Sequence, residues 1–180
     1  MSKFHRFVNP IEVETWVREH YTEEQLDSLT VTKNLDSPLA YYKGSCYQNM
    51  NLMIRSGIVD DRSGFGIPTL QSLLMSFTIP SNIIVYRFVD LREFAILHYK
   101  TLFGRTYVNP MFLSATLLKD QYSMSEIRKH RIAIKIFVNQ GARGAYLPEV
   151  NPHLPEYEIL FPYHTSFIKR GIMEFEISAD

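Results

Sequence analysis

The chain has 180 residues, of which 46% are hydrophobic, so it is long enough to form one domain with a sizeable core. Nineteen basic residues balance nineteen acidic ones, and no basic field therefore points to nucleic acid as the partner. A single cysteine, Cys46, excludes an internal disulfide and a thiolate-rich metal site. The start "MSKFHRFVNP" lacks the apolar core of a signal peptide, and no later run approaches the roughly 20 apolar residues of a membrane span. We therefore expect a soluble protein.

The first part of the chain is predicted to be helical. In "NPIEVETWVREHY" (9–21) a proline stands near a helix N-terminus, and "TEEQLDSL" (22–29) begins with Thr22 as a cap. A further helix is predicted from about Cys46 to a C-terminal cap at Gly57. After the loop "VDDRSGFGIP", the stretch "TLQSLLMSF" (69–77) predicts a short helix.

Strands are predicted to dominate the remainder. Stretches rich in β-branched and aromatic residues alternate with turn residues from residue 81 onward. The predicted strands are "SNIIVYRFVDL", "YVNPMFLSATLL", "RIAIKIFVN", "AYLPEV", "EYEILFP" and "SFIKRGIMEFEIS". Helices followed by antiparallel strands indicate an α+β fold.

Several short motifs do not carry a function. "GFG" at 64–66 lacks the strand and helix that a dinucleotide-binding fingerprint needs, and no phosphate-loop lysine motif is present. The six histidines do not have the spacing of metal ligands, so we expect no metal. Cys46 in "GSCY" stands where a helix N-terminus could activate a thiol. A papain-like enzyme needs a histidine far downstream, however, and the last one, His164, comes too early. Cys46 is therefore predicted to be a small buried residue.

Three sets of polar residues lie inside predicted strands. Glu156 and Glu158 are one residue apart, so a regular strand points both carboxylates to the same side, where they repel each other unless a cation or hydroxyl compensates. This pair fits either a solvated strand end or a functional site. Arg87 in "IIVYRFV" fits either an ion pair with a core carboxylate or an anion clamp. Ser114 and Thr116 share one face of their strand.

An arginine, a serine and a glutamate pair, each in its own strand and in this order, strongly resemble the arginine-serine-glutamate (R-S-E, E-x-E) class of mono-ADP-ribosyltransferase toxins and effectors. The resemblance is carried by "YYKGSCYQNMNLMIRSG", "IPSNIIVYRF", "FLSAT" and "GARGAYLPEVNPHLPEYEILFP", and covers about residues 38 to 178. It implies a single catalytic domain over 1–180, with an N-terminal helical part (1–37) and a core (38–180). The implied fold has two roughly perpendicular antiparallel β-sheets that form an NAD cleft, with helices to one side.

The resemblance also implies roles for individual residues. Glu158 would stabilise the oxocarbenium ion, Ser114 would orient Glu158, and Arg87 would hold the phosphate and ribose region of NAD. Glu156 would face the acceptor. The further residues expected to bind NAD are Tyr47, Asn51, Phe88 and Tyr122. The loop expected to recognise the target protein contains Asn151, His153 and Leu154.

The function that the resemblance implies is transfer of ADP-ribose from NAD to an arginine of a target protein, with release of nicotinamide. NAD is then a substrate and no metal is needed. We expect the catalytic domain of a bacterial or phage effector, delivered by other components into the cytoplasm of a target cell. Its partners would be the target protein and a cognate immunity or delivery protein, with neither membrane nor nucleic acid involved. Two alternatives remain: an NAD glycohydrolase, or a non-catalytic module of the same fold that binds NAD or a partner.

Overall fold

The computed structural model describes residues 3–30, 37–60, 64–119, 132–148 and 156–179. Within these ranges the chain forms six α-helices. They are α1 (Pro10–His20), α2 (Glu23–Ser28), α3 (Pro38–Tyr41), α4 (Tyr47–Arg55), α5 (Ile67–Ser76) and α6 (Leu91–Lys100). A wide π-helical segment, Tyr42–Cys46, connects α3 to α4, and a short 3₁₀ turn, Leu102–Gly104, follows α6.

The first two helices begin where the sequence predicts. The Asn9 side chain accepts a hydrogen bond from the Glu12 backbone N–H, which caps α1. Thr22 and Gln25 form a reciprocal capping box at the start of α2. Helix α1 buries one apolar face, and Trp16 on that face donates its indole N–H to the Ser81 hydroxyl beside the sheet. The N-terminal helices are therefore packed onto the strands.

The strands form one hydrogen-bonded sheet of eight strands. They are β1 (Ile83–Val89), β2 (Tyr107–Val108), β3 (Leu113–Thr116), β4 (Ile132–Val138), β5 (Ala145–Leu147), β6 (Glu158–Phe161), β7 (Ser166–Lys169) and β8 (Glu174–Ile177). Their spatial order is β2-β7-β8-β4-β1-β3-β6-β5. All neighbouring pairs are antiparallel except β4 and β8, which are parallel.

The sheet divides into two parts at the contact between β1 and β3. These two strands share one register pair, Tyr86 with Thr116, whereas β1 and β4 are paired along their whole length. A five-stranded part therefore meets a three-stranded part at this junction. Thr116 is also the register partner of Glu158 on β6. The predicted α+β fold with N-terminal helices is confirmed, and the junction brings β1, β3 and β6 side by side.

Three elements differ from the sequence prediction. The predicted strand over 166–178 forms two antiparallel strands, β7 and β8. The predicted strand over 107–118 is split into β2 and β3, because the chain turns at Pro110, which has no N–H for a ladder, and β2 pairs with β7 instead. Helix α6 was not predicted. Asp90 caps it by accepting a hydrogen bond from the Glu93 N–H. An Asp-x-x-Glu pattern after a strand is typical of a helix N-terminus, so the sequence does contain a local indication of this helix.

A single cluster of buried apolar residues extends from Phe7 to Ile177 and lies between the helices and the sheet. Cys46 is half-buried and makes no disulfide. The prediction that its side chain is fully buried was therefore wrong. Of the helices in the described ranges, none has the length and apolar character needed to cross a membrane.

Candidate active site

A cleft of about 380 Å³ opens where the two parts of the sheet meet the segment between α3 and α4. Seven of the residues predicted for the site line this cleft: Tyr47, Asn51, Arg87, Phe88, Ser114, Glu156 and Glu158. It is also lined by Tyr42, Lys43, Gly44 and Phe112. The other predicted residues, Tyr122, Asn151, His153 and Leu154, lie outside the described residues.

The two glutamates converge on one cation. The Lys43 ammonium lies 2.6 Å from Oε2 of Glu156 and 2.5 Å from Oε2 of Glu158. The Glu158 side chain is 8% exposed and that of Lys43 10%, whereas that of Glu156 is 46% exposed. The sequence predicted that the pair would need a compensating cation or hydroxyl, and in the structure this group is Lys43. One carboxylate is thus buried inside the cleft, and the other stands at its entrance.

The backbone before β6 brings the pair together in a way that a regular strand would not. Strand β6 begins at Glu158, and Tyr157 has a positive φ of 45°, so the expected alternation of a strand does not hold at Glu156. The Thr116 hydroxyl donates to the Glu156 carbonyl at 2.8 Å, and the Leu117 N–H donates to the Tyr157 carbonyl at 2.9 Å. The end of β3 therefore fixes the segment that carries both carboxylates.

The charge of Glu158 influences the neighbouring side chains. Burial alone would lower the pKa of Lys43, but the charge of Glu158 and the hydrogen bonds to both glutamates raise it above the ordinary value. Burial, supported by the same charge, raises the pKa of Tyr42. At neutral pH the site therefore holds an ammonium and a neutral phenol beside the two glutamates.

Arg87 connects β1 to both α6 and β3. Its Nε donates to Oε1 of Glu93 at 2.8 Å, and its Nη1 donates to the backbone carbonyl of Ser114 at 2.7 Å. The sequence allowed either an ion pair or an anion clamp, and the structure contains the ion pair at the wall of the cleft. The Arg87 side chain is still 21% exposed, so it also faces the space where an anion could bind.

Asn51 contributes a buried acceptor. Its Oδ1 is, among the described residues, the buried side-chain polar atom that has no hydrogen-bond partner. Such an atom costs free energy unless a ligand satisfies it. Because Asn51 lines the cleft, its Oδ1 can accept a hydrogen bond from a hydroxyl or an amide of a bound molecule.

A second cavity of about 380 Å³ adjoins the first. Arg87 lines both, and Arg55 from the last turn of α4 and Arg92 from α6 line the second one together with the apolar side chains of Ile96 and Phe167. Asp90 and Glu93 also line this cavity, so three guanidinium groups exceed two carboxylates there. An excess of guanidinium groups beside an apolar wall suits a ligand that carries phosphates next to a flat apolar group.

Sequence reasoning missed four contributors to this site: Tyr42, Lys43, Glu93 and Phe112. Glu93 could have been found from the Asp-x-x-Glu start of α6, since it follows the strand that carries Arg87. No local signal marked Lys43, because its partners are more than a hundred positions away along the chain. The need of a glutamate pair for a cation was predictable, but the identity of that cation was not.

Solved structures of other proteins share the fold of this chain. The chain aligns with the ADP-ribosylating toxin component of a binary enterotoxin of C. perfringens, solved with NADH, at a TM-score of 0.69 and 19% identity, over 98% of this chain and 50% of that one. It aligns with an ADP-ribosyltransferase from Clostridium botulinum at a TM-score of 0.64 and 16% identity, over 98% and 97% of the two chains. The corresponding values for a protein from S. aureus, solved with NAD, are 0.64, 16%, 99% and 98%. The chain thus spans half of the enterotoxin component but nearly all of the other two proteins. Identities this low show a shared fold.

The family model of the ADP-ribosyltransferase exoenzymes matches residues 13–177. The chain therefore belongs to the ADP-ribosyltransferase exoenzyme family. The match begins well before residue 38, where the resemblance seen in the sequence starts, so α1 is part of the family's domain. No curated protein matches the chain in sequence.

Proposed function

We propose that this protein transfers ADP-ribose from NAD to an arginine side chain of a target protein. Family membership supports NAD-dependent ADP-ribosyl transfer. The observation that carries the proposal is the pair of carboxylates, Glu158 buried in the cleft and Glu156 at its entrance. One can serve the bond that breaks, and the other can serve the group that arrives.

The reaction exchanges one bond at the anomeric carbon of the nicotinamide ribose. The C1′–N bond to nicotinamide breaks, and its electron pair leaves with neutral nicotinamide. Positive charge develops on the ribose as an oxocarbenium ion, and a guanidinium nitrogen of the acceptor then bonds to C1′ and releases one proton. A fixed negative charge close to C1′ lowers the barrier, as carboxylates do in glycoside hydrolysis.

Glu158 is assigned to that negative charge, because its carboxylate is buried and the low exposure strengthens its field. Ser114 lies two positions before Thr116, the register partner of Glu158, and lines the same cleft. It is assigned to orienting Glu158 or the ribose once NAD is bound. Asn51 offers its unpaired Oδ1 to the hydroxyl or carboxamide groups of the same ligand.

Glu156 is assigned to the acceptor. Its side chain is exposed enough to be reached from solvent, and a carboxylate can both orient a guanidinium and draw off the proton that the reaction releases. A protonated guanidinium is a poor nucleophile without such a partner. This is the physical reason for favouring arginine over a neutral acceptor.

The two adjoining cavities suit the length of NAD. With nicotinamide and its ribose in the cleft beside Glu158, the diphosphate would lie at Arg87, which lines both cavities. The adenosine would then occupy the second cavity, where Arg55 and Arg92 stand beside apolar side chains. A target cell would supply both NAD and the acceptor protein, so delivery into its cytoplasm, alone or with an immunity or delivery protein, is part of the proposal.

Parallel assays on two glutamine variants test the division of labour. We expect Glu158→Gln to abolish nicotinamide release with or without an acceptor, because it keeps the shape and loses the charge, at a cost of about 3 kcal/mol in transition-state stabilisation. We expect Glu156→Gln to abolish transfer to agmatine, a small guanidinium compound, while slow NAD hydrolysis continues. Nicotinamide release and formation of the agmatine adduct are measured on the same samples.

Glu174→Gln is the matched control, since Glu174 is a half-exposed carboxylate that pairs with Lys135 away from the cleft. Equal loss of both activities in both variants would reject the division of labour. Normal activity in both would reject the site. Hydrolysis without an adduct in the wild-type protein would identify an NAD glycohydrolase, and NAD binding without any nicotinamide release would identify a non-catalytic module.

A further inference from the structure

Lys43 occupies the space between the two glutamates that the proposed reaction needs for other cations. Its ammonium contacts one oxygen of each carboxylate, and its side chain is nine-tenths buried. The oxocarbenium ion would develop beside Glu158, and the acceptor guanidinium would bind at Glu156. The resident ammonium therefore neutralises the same charges that these two groups would use.

The chain places Lys43 there by an irregular piece of helix. Lys43 belongs to the π-helical segment Tyr42–Cys46, and Gly44 within it has a non-helical ψ of −142°. Gly44 is exposed, and a Cβ built on it would meet nothing within 4 Å. The helical run is thus interrupted by a kink directly after Lys43. The backbone next to Lys43 is therefore irregular and open to solvent at Gly44.

The two carboxylates differ in their exposure to solvent. Lys43 reaches them from inside the cleft, where Glu158 is buried, whereas Glu156 remains accessible from solvent. An acceptor guanidinium arriving at Glu156 can therefore replace one cation by another, so the glutamate pair stays compensated throughout the exchange. Water carries no charge and cannot offset the loss of the ammonium in the same way.

We infer that Lys43 is a specificity-determining residue that competes with the reacting ribose for Glu158 and thereby suppresses NAD hydrolysis until a cationic acceptor displaces it. The inference rests on the proposed function and names a regulation of the same site. Its removal should change the rate of NAD hydrolysis in the opposite direction to removal of a residue that merely positions the glutamates. Removal of a competitor raises hydrolysis, whereas removal of a positioning residue lowers it.

The test uses Lys43→Met, which keeps most of the length of the side chain and removes its charge. We expect nicotinamide release from NAD without acceptor to rise about tenfold, the factor that corresponds to about 1.4 kcal/mol of relieved competition. Added agmatine should stimulate release in the wild-type protein and stimulate it much less in the variant. Calorimetric titration should show tighter NAD binding by the variant. Lys135→Met is the matched control, because Lys135 pairs with Glu174 outside the cleft.

A second charge-removing variant, Lys43→Gln, keeps a hydrogen-bond donor for the two glutamates and is also expected to raise nicotinamide release, so it provides the test if the methionine variant does not fold. Slower hydrolysis or weaker NAD binding in Lys43→Met would overturn the inference and leave the transferase proposal intact. An equal rise in Lys135→Met would overturn it as well. Nicotinamide release without an agmatine adduct in any protein would reject arginine transfer, and the basal rates would still decide the role of Lys43. If no protein releases nicotinamide, the proposed function fails and the change in NAD affinity alone decides.

Discussion

At the scale of single residues, Arg87 shows why a structural and a functional role need not exclude each other. Its hydrogen bonds to Glu93 and to the Ser114 carbonyl hold the guanidinium in one orientation. A side chain fixed in this way loses less entropy when it binds an anion, so the ion pair would favour the role in NAD binding that is proposed for Arg87. The sequence left these two interpretations open, and the structure makes them compatible.

Arg87→Lys separates the two roles by measurement. A lysine has no planar fork and cannot contact Glu93, Ser114 and a phosphate together. We therefore expect NAD affinity to fall about tenfold, which is about 1.4 kcal/mol, with a smaller loss of unfolding free energy. Calorimetric titration and urea unfolding of the same samples measure the two quantities.

Glu93→Gln provides the comparison, since it removes the charged partner of Arg87 and keeps a hydrogen-bond acceptor. It should weaken NAD binding only through the orientation of Arg87, and hence less than Arg87→Lys does. If Arg87→Lys unfolds the protein while the folded fraction binds NAD normally, Arg87 is a structural ion-pair residue and its assignment to NAD is wrong.

At the scale of secondary-structure elements, the site depends on how the end of β3 holds the start of β6. The Thr116 hydroxyl donates to the Glu156 carbonyl, while the Ser114 hydroxyl has no hydrogen bond within the part of the chain that is described. The two hydroxyls are two positions apart on one strand, yet one supports the backbone and the other lines the cleft. This contrast yields a matched pair of substitutions.

We expect Thr116→Val, which conserves shape, to lower the unfolding free energy by about 1–3 kcal/mol because the Glu156 carbonyl loses its donor. Transfer to agmatine should fall with it, since Glu156 is no longer held in place. Ser114→Ala should leave stability within about 0.5 kcal/mol and lower turnover at saturating NAD. Thermal unfolding and steady-state kinetics measure both effects. A Ser114 variant with normal turnover, or a Thr116 variant with normal stability, would contradict this division between the two hydroxyls.

The elements also show how far the sequence alone could go. Caps and periodicity predicted α1, α2 and the long strand β1, because those signals are local. The position of Arg87, Ser114 and Glu158 along one cleft followed from the family resemblance rather than from local patterns. Lys43 and the positive φ of Tyr157 were beyond reach, because both depend on contacts between segments far apart in the chain. Their effect is concentrated at the glutamate pair, where local rules for a strand fail.

At the scale of the whole molecule, the N-terminal helices are tied to the strands by a buried tyrosine. The Tyr21 hydroxyl, just after α1, accepts a hydrogen bond from the Tyr146 N–H on β5 at 3.2 Å. Burial raises the pKa of Tyr21 to about 12, although the bond from Tyr146 opposes the shift. The pKa of Tyr42 in the cleft is raised in the same direction. Two distant parts of the molecule are therefore sensitive to the same change in pH.

A folded-state pKa above the ordinary tyrosine value of about 10 means that the folded protein holds its proton more tightly than the unfolded chain does. The stability linked to Tyr21 is thus fully present below pH of about 10 and is lost as the pH rises toward 12. We expect the unfolding free energy of the wild-type protein to fall between pH of about 10 and 11. In Tyr21→Phe this fall should be shallower by about 1 kcal/mol. At neutral pH the variant should be about 1 kcal/mol less stable than the wild-type protein, because the Tyr146 N–H loses its acceptor.

Urea unfolding across this pH range measures the slopes, with Tyr99→Phe as control because Tyr99 is 71% exposed. Parallel pH profiles for Tyr21→Phe and the wild-type protein would show that ionisation of Tyr21 does not govern the alkaline limit of the fold.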